Sequence, residues 1–524
     1  MQVDIKRRQS LVVLAGSIAF PMAGCGGGMA FATSASSVVV PKGGSFKFPT
    51  KLPNVAAKAA EFEATLIAAT SVAQIANGPA TTVWAYNGLY PGPMIDVREG
   101  DTVRIVFKNQ LSQTSTIHWH GLPIPPEQDG NPMDMVLPGS TRTYTFTLPL
   151  GSAGTYWFHP HPHQTTHQQV FMGLAGSFIV RPALDPLAGI PERVILITDL
   201  RLDANNQIVA NNETDLMNGR EGDQLLVNGV KLPLLEVQPG TTERWRVINA
   251  TNARYLRLSL GGESLRLVGH GGGLIERAQE VNETLLAPAQ RVEFLVQAGA
   301  TQGQQLLLKA LPYDRGAMVD SIAPEVSILT LSSTLAGSAS PITIPLTLRS
   351  VAALSSPVST RRFILTESMG MSNAQFRINN RSFDPMRIDV VSKVNDIEDW
   401  VIENQGDMDH PFHIHGTQFQ LISSTRTDTT PSTGYRAWID TINIRSGELV
   451  TIRIQQTMLG KRMFHCHILE HEDQGMMGVL DVQGLGKTLT NYNAVQINQA
   501  PVPVKSVAYC EERRDDRTRL FLTR

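Results

Sequence analysis

The sequence predicts an all-β protein, and three observations support that prediction. Short runs of alternating apolar and polar residues recur along the chain, which places every second side chain on one face of a strand. Glycine (43 residues) and proline (31 residues) are frequent between these runs, as is usual between short strands. Few segments hold a helical period. The clearest alternating runs, at residues 102–107, 255–260, 292–296 and 450–454, indicate strands of antiparallel sandwiches.

Changes in composition divide the chain of 524 residues into three blocks. Residues 182–189 are rich in proline and alanine, and residues 332–341 are low in complexity, so both are predicted to be linkers. Similar turn-rich segments lead into a strand at matching places in each block, which favours three copies of one sandwich. The predicted domains are residues 50–182, 190–332 and 345–485, followed by a C-terminal tail at 486–524.

The first residues predict export. A basic stretch with Arg7 and Arg8 precedes an apolar run too short to span a bilayer, which resembles a twin-arginine export signal. An ordinary secretory signal is the alternative. Cys25 ends a segment that resembles a lipoprotein box and would carry a lipid anchor, whereas residues 30–32 fit a small-residue cleavage site. We therefore assign residues 1–32 to an export signal and expect a periplasmic or extracellular protein.

Charge and hydropathy exclude two classes of partner. The formal net charge is -2 and the pI is about 6.7, so no basic surface for nucleic acid is expected. After the signal, the sequence lacks a run of about 18 apolar residues, so we expect no transmembrane segment in the mature chain.

The cysteines point to a metal rather than to disulfides. The chain has three, Cys25, Cys466 and Cys510, which is too few for a disulfide framework once Cys25 is removed or lipidated. Cys510 lies in a charged tail and is predicted to be a free thiol. Cys466 stands between His465 and His467, and this position needs a different explanation.

Ten of the thirteen histidines fall into four tight clusters. Each cluster contains His-x-His, and on a strand residues i and i+2 project to the same face, so the four pairs supply eight imidazoles. With no carboxylate in the motifs, these ligands suit copper or zinc better than hard cations. The middle block has no cluster, so we expect its role to be structural. The clusters are His118-Trp119-His120, His159-Pro160-His161, His410-Pro411-Phe412-His413-Ile414-His415, and His465-Cys466-His467 with His471.

Four remaining residues, His410, Cys466, His471 and Met476, match a blue-copper electron-transfer site of two imidazoles, a thiolate and a weak thioether. Zinc is the competing interpretation, although structural zinc sites are usually closed by more thiolates. Because side chains alternate along a strand, Cys466 is expected to point away from its two histidine neighbours. One tripeptide would then bind two metal centres on opposite faces.

These motifs together resemble the multicopper oxidases, a family that includes laccases and bacterial copper-efflux oxidases. The resemblance covers about residues 50–485 and is closest to the bacterial periplasmic type at 410–419 and 465–477. It implies three consecutive cupredoxin-like Greek-key β-sandwich domains and four copper ions: one type 1, one type 2 and a type 3 pair. Some relatives keep the fold without copper, but the complete ligand set here favours an enzyme over a structural protein.

The resemblance also assigns roles to individual residues. Type 1 copper would be held by His410, Cys466 and His471, with Met476 axial. Type 2 copper would be held by His118 and His413. Asp129 and Glu472 match positions where relatives place carboxylates that supply protons. The type 3 pair would be held by His120, His159, His161, His415, His465 and His467.

The implied reaction takes electrons one at a time from a small-molecule reductant at type 1 copper. Cys466, His465 and His467 relay them, and O2 is reduced to water. Residues 312–378 have three methionines and no histidine, unlike the Met-rich insertion of copper-efflux oxidases. This favours a laccase-like enzyme acting on phenols or aromatic amines, which need an open approach to the edge of a type 1 histidine. Oxidation of cuprous or other metal ions for copper tolerance is the alternative.

Overall fold

The computed structural model describes residues 43–316, 324–340, 342–369, 374–427 and 434–484. Strands make up 46% and helices 5% of the protein, which confirms the all-β prediction. The predicted signal with Cys25 and the predicted tail with Cys510 lie outside the described residues. In the described ranges, no helix is long and apolar enough to cross a membrane.

The first domain is a sandwich of two sheets. Its elements are β1 (Glu61–Ala73), β2 (Thr81–Tyr86), β3 (Ile95–Arg98), β4 (Thr102–Asn109), a 3-10 helix (Pro126–Gln128), β5 (Thr141–Thr147), β6 (Gly154–Phe158), α1 (Thr166–Phe171) and β7 (Gly176–Arg181). The sheet orders are β2-β1-β4-β5 and β3-β7-β6. Val103, Ile105 and Phe107 of β4 are buried between the sheets, as their alternation predicts.

The second domain is the largest sandwich, with sheets in the orders β10-β9-β8-β12-β17-β14-β15 and β11-β19-β18-β13-β16. Its apolar core continues without a break into that of the third domain. Its elements are β8 (Glu192–Leu200), α2 (Glu213–Asn218), β9 (Gln224–Val227), β10 (Val230–Lys231), β11 (Leu234–Glu236), β12 (Thr242–Asn249), β13 (Leu256–Leu260), β14 (Leu265–His270), β15 (Leu274–Val281), β16 (Glu283–Leu286), β17 (Arg291–Gln297), β18 (Gln305–Leu311) and β19 (Val326–Ser332).

The third domain has sheets in the orders β21-β20-β23-β27-β25 and β22-β29-β28-β24-β26. Strands β24 and β28 of the second sheet carry two of the histidine clusters. Its elements are β20 (Ser359–Met369), β21 (Ala374–Ile378), β22 (Val390–Lys393), β23 (Ile397–Asn404), β24 (His410–Ile414), β25 (Phe419–Ser424), β26 (Thr441–Ile444), β27 (Leu449–Gln455), β28 (Gly460–Cys466), α3 (Leu469–Asp473) and β29 (Met477–Gln483).

The sandwiches are mixed rather than purely antiparallel, which corrects one expectation. The first strand of each domain pairs in parallel with a later strand: β1 with β4, β8 with β12, and β20 with β23. Between these partners the chain crosses to the other sheet, so a hairpin does not join them and a parallel pair results. The same arrangement in all three domains supports the interpretation that they are copies of one sandwich.

Candidate metal centres

Eight histidines converge between the first and third domains. In the third domain, β24 and β28 pair so that His413 lies opposite His465. In the first domain, an isolated bridge joins the backbones of His118 and His159. The strand prediction for the motifs therefore holds only in part, because the first-domain pairs lie in loops beside that bridge. All of the eight are fully buried: His118, His120, His159, His161, His413, His415, His465 and His467.

His118 and His413 face each other across the domain interface. Their Nε2 atoms are 3.3 Å apart. The opposite nitrogens are held by backbone carbonyls, since His118 Nδ1 is 3.1 Å from the oxygen of Asp129 and His413 Nδ1 is 2.8 Å from the oxygen of Asp440. A carbonyl oxygen can only accept a hydrogen bond, so it fixes the proton on Nδ1 and leaves Nε2 available to a metal.

His161, His415 and His465 form a second group. Their Nε2 atoms lie 3.2–3.3 Å from one another. The Nδ1 of His465 is 2.9 Å from the carbonyl oxygen of Cys466, which again turns Nε2 toward the group. Three buried imidazole nitrogens this close together repel one another unless a cation lies between them. They form a donor set that suits a copper or zinc ion.

His120, His159 and His467 form the third group, with ring centroids 4.9–5.8 Å apart. Buried nitrogens in this group lack any hydrogen-bond partner: Nδ1 of His120, Nε2 of His159 and both ring nitrogens of His467. Buried polar atoms without partners are rare, and here several converge. The residues present therefore fit a bound metal ion.

A separate group lies inside the third domain. His410 Nδ1 lies 3.5 Å from Cys466 Sγ and 3.4 Å from His471 Nδ1. Met476 is fully buried in the same core, and its carbonyl accepts the Cys466 amide at 3.0 Å. Burial raises the pKa of the Cys466 thiol, so a metal would be needed to stabilise its thiolate.

The two centres are joined by one tripeptide. Cys466 belongs to the group with His410 and His471, whereas its neighbour His465 belongs to the histidine groups of the interface. The side chains of this tripeptide therefore serve opposite faces, as strand alternation predicts. Cys466 is directly adjacent in sequence to both His465 and His467.

Both imidazoles of the Cys466 centre are fully buried. The ring of His471 stacks on Phe376 with centroids 3.8 Å apart, and its Nε2 is 3.0 Å from the carbonyl oxygen of Met217 in α2. The Nε2 of His410 lies 3.3 Å from Glu367 Oε2. The ring edges of both imidazoles are therefore covered by residues of the second and third domains.

Two buried carboxylates border the interface histidines, and the sequence had singled out both. Asp129 oxygens lie 3.1 Å from His118 Nδ1 and 3.2 Å from His415 Nδ1. Glu472 oxygens lie 3.2 Å from His465 Nδ1 and 3.4 Å from His161 Nε2. Burial raises the pKa of each carboxyl, although the neighbouring imidazoles oppose the shift.

Burial also acts on the interface histidines. Desolvation, followed by the charges of neighbouring histidines, holds the pKa of six of them well below 6.5, so they stay neutral and able to bind a metal. These six are His120, His159, His161, His413, His415 and His467.

Several site residues carry no sequence signal. Asp440, Arg291, Glu367 and Phe376 all contact the histidines or their partners, but each is a single residue without a motif. The three unclustered histidines have other contacts: His167 Nδ1 is 2.6 Å from Asp473, His270 Nδ1 is 3.1 Å from the Tyr435 hydroxyl, and the ring of His163 packs on Phe383.

Comparisons with known proteins agree with this geometry. Family models described as multicopper oxidase match residues 68–185, 192–315 and 357–484. A multicopper oxidase of Staphylococcus haemolyticus is 33% identical over 406 residues, which are 76% of this chain and 83% of the relative.

Two solved structures are also similar. A Campylobacter jejuni multicopper oxidase described as a metallo-oxidase is 42% identical, with a TM-score of 0.79 over 84% of this chain and 96% of that one. A Pediococcus acidilactici laccase is 31% identical, with a TM-score of 0.74 over 85% and 94% of the two chains. With matched sequence in all three sandwiches and a buried, metal-competent histidine set between two of them, this chain belongs to the multicopper oxidase family and is a copper-dependent oxidoreductase.

Proposed function

We propose that the protein couples one-electron oxidation of a small reductant to the reduction of O2 to water. One observation carries the proposal: Cys466 lies in one buried group of metal-competent side chains, while the adjacent His465 lies in another. Copper bound at these groups would supply the one-electron steps and the reduction of O2.

The geometry supports the following distribution of four coppers. His410, Cys466 and His471, with Met476, would hold type 1 copper. His118 and His413 would hold type 2 copper. The type 3 pair would be shared between one group of His161, His415 and His465 and another of His120, His159 and His467.

The chain itself supplies a short connection between the two centres. The Cys466 side chain is bonded through its own backbone to His465 on one side and His467 on the other. In addition, the carbonyl oxygen of Cys466 accepts a hydrogen bond from His465 Nδ1 at 2.9 Å. Covalent bonds and a short hydrogen bond carry electron transfer better than a gap between side chains.

Asp129 and Glu472 supply the protons that water formation requires. Each oxygen of each carboxyl lies within 3.4 Å of a cluster imidazole nitrogen. Because burial raises the pKa of both groups, they retain protons at a pH where an exposed carboxyl has lost them. They can therefore hold and release a proton close to the site of O2 reduction.

The carboxylate of Glu367 beside His410 favours a metal ion as reductant, with the cuprous ion as the chemical class that fits best. Neither a phenol nor a metal ion can touch His410 or His471 directly, because both are fully buried. Glu367 places a carboxylate next to His410. Desolvation raises the pKa of this carboxyl, but the contact with His410 and the hydrogen bonds from the amides of Asp407 and Met408 keep that pKa below its ordinary value. An anion next to the electron-accepting ligand attracts a cation. The metallo-oxidase of Campylobacter jejuni points the same way.

Oxidation of phenols is the second candidate. It is favoured by the absence of a Met-rich, His-rich stretch in residues 312–378 and by the similarity to the laccase of Pediococcus acidilactici. The two candidate substrates differ in charge, because a cuprous ion is a cation and a phenol is neutral. Removal of the negative charge of Glu367 should therefore affect oxidation of Cu(I) and not that of a phenol.

Oxygen uptake by the copper-loaded enzyme tests the substrate. Wild-type protein, Glu367→Gln and the control Glu403→Gln are compared with Cu(I) and with a phenol. Glu403 lies on the neighbouring strand β23 and pairs with Arg362. We expect faster uptake with Cu(I), a KM for Cu(I) raised about tenfold in Glu367→Gln, and no change in Glu403→Gln. Faster uptake with the phenol, indifferent to Glu367, would establish the second candidate instead.

A further inference from the structure

One side chain of the middle domain reaches a residue that contacts the interface histidines. Arg291 begins β17 and is 1% exposed. Its Nη1 and Nη2 donate to the two carboxylate oxygens of Asp440 at 2.6 Å each, and its Nε donates to the carbonyl oxygen of Thr155 at 3.0 Å. Thr155 belongs to the first domain and Asp440 to the third. A single guanidinium therefore joins all three domains.

Asp440 in turn contacts two cluster histidines. Its Oδ1 lies 3.1 Å from His120 Nε2, and its backbone oxygen lies 2.8 Å from His413 Nδ1. The Thr441 hydroxyl donates to Asp440 Oδ1 at 2.9 Å and lies 3.1 Å from both ring nitrogens. These contacts fix the orientation of two imidazoles that belong to different metal-binding groups.

The glycine after His120 makes room for this ion pair. Gly121 has a φ of +84°, and a Cβ there would lie 2.5 Å from Asp440 Oδ2 and 2.6 Å from Arg291 Nη2. Any larger residue would displace one of the two groups. Gly121, the residue directly after the motif His118-Trp119-His120, is thus packed against a partner in the middle domain.

We propose that Arg291 and Asp440 are positioning residues for the trinuclear copper centre, meaning the type 2 copper and the type 3 pair at the interface histidines. Through these two residues, docking of the middle domain sets how tightly His120 and His413 bind copper. The proposal rests on the proposed function, since it requires copper at these histidines. The physical reason is that histidine ligands need a fixed partner on their second nitrogen. A buried carboxylate, in turn, keeps its place only if a cation neutralises it.

The same strand offers a matched control. Glu293 lies two residues after Arg291, is also buried, and also bridges domains. It accepts hydrogen bonds from Arg246, Arg244 and the Thr155 hydroxyl at 2.6 Å each. It contacts no histidine of the cluster, however. Substitution of Glu293 therefore removes a buried charge that pairs with two arginines of the middle domain and binds the first domain through Thr155, while leaving the candidate copper ligands alone.

The test uses full-length, copper-loaded protein carrying Arg291→Lys, Asp440→Asn or Glu293→Gln. Copper affinity is measured by competition with a chelator, the trinuclear centre by electron paramagnetic resonance, and the Cys466 centre by its blue absorption. We expect the first two variants to bind trinuclear copper about 10–100-fold more weakly and with an altered resonance, while the blue absorption stays. Arg291→Lys keeps the positive charge but cannot make the two parallel hydrogen bonds to Asp440, so it should be the milder of the two variants.

Glu293→Gln should unfold at a lower temperature but keep its copper and its resonance. Wild-type affinity and resonance in both Arg291→Lys and Asp440→Asn would overturn the positioning role. An equal loss of copper in Glu293→Gln would overturn it too, because general loosening of the domains would then suffice. Wild-type protein that takes up no copper at the interface histidines would overturn the proposed function itself.

Discussion

The two candidate metal centres are built in different ways. The Cys466 centre takes His410 from β24, Cys466 from β28 and His471 from α3, all within the third domain. The interface centre takes half of its eight histidines from the first domain and half from the third. The first centre is complete when one sandwich folds. The second is complete only when two sandwiches dock.

This difference has an energetic side. The Cys466 centre lies in a continuous apolar core, so its geometry is held mainly by packing. The interface centre is bordered by buried charges, among them Asp129, Glu472 and the Arg291–Asp440 pair. Loss of one partner of a buried ion pair costs about 3–5 kcal/mol. The interface centre should therefore respond strongly to charge and domain docking, and the Cys466 centre weakly.

The largest expected effect separates the centres completely. Cys466→Ser removes the thiolate ligand but no histidine, so we expect loss of the intense blue absorption and of substrate-driven oxygen uptake. Copper at the interface histidines should remain, because their contacts do not involve Sγ. Metal analysis and electron paramagnetic resonance would show it.

Full oxygen uptake by Cys466→Ser would contradict the proposed route for electrons. A colourless wild-type protein that holds its full copper would contradict the assignment of type 1 copper, and would favour a structural role for the chain.

The next effect concerns the copper-free protein. Burial lowers the pKa of six interface histidines, such as His159 and His161, below their value of about 6.5 in the unfolded chain. As pH falls through that value, the unfolded chain binds protons that the folded protein does not. Each such histidine then lowers the free energy of unfolding by about 1.4 kcal/mol per pH unit.

Copper-free protein should therefore be destabilised sharply between about pH 6.5 and 5, as measured by denaturant unfolding at several pH values. Histidine-to-glutamine substitution at His159 should make this pH dependence shallower, since glutamine cannot take up the proton. Unfolding free energy that does not change between pH 7 and 5 would show that the interface histidines are not desolvated in solution.

Sequence alone predicted the fold class and pointed to the histidine clusters that the structure brings together, for two physical reasons. Alternation along a strand is local, so β4, β13, β17 and β27 could be recognised from their own residues. Side chains two positions apart on an extended chain also share a face, so each pair of candidate ligands leaves a compact motif such as His465-Cys466-His467. The parallel pairing of β1 with β4 was missed because it depends on where the chain crosses between sheets.

Residues that act across domains were missed for the opposite reason. Arg291 is separated from Asp440 by 149 positions, and neither lies in a motif. Within the third domain, Glu367 on β20 and Phe376 on β21 cover the Cys466 centre, but as single residues they have the pattern of ordinary strand positions. Their roles follow from tertiary packing, which a single sequence does not encode in any local pattern.

The smallest expected effect tests proton supply at the interface centre alone. Glu472→Gln keeps the size of the side chain but removes its proton, so we expect oxygen reduction to slow about 100-fold while reduction of the blue copper by substrate keeps its rate. Stopped-flow absorbance under anaerobic conditions, followed by mixing with O2, separates these two steps.

Glu470→Gln is the matched control for this variant. Glu470 lies in the same helix α3 and is equally buried, but it accepts hydrogen bonds from Asn211 and Asn252 instead of facing a cluster histidine. Its loss should leave the rate with O2 unchanged. Slowing of both steps in Glu472→Gln, or equal slowing in Glu470→Gln, would mean that α3 acts by holding His471 in place. The two centres would then be coupled through this helix rather than through Cys466 alone.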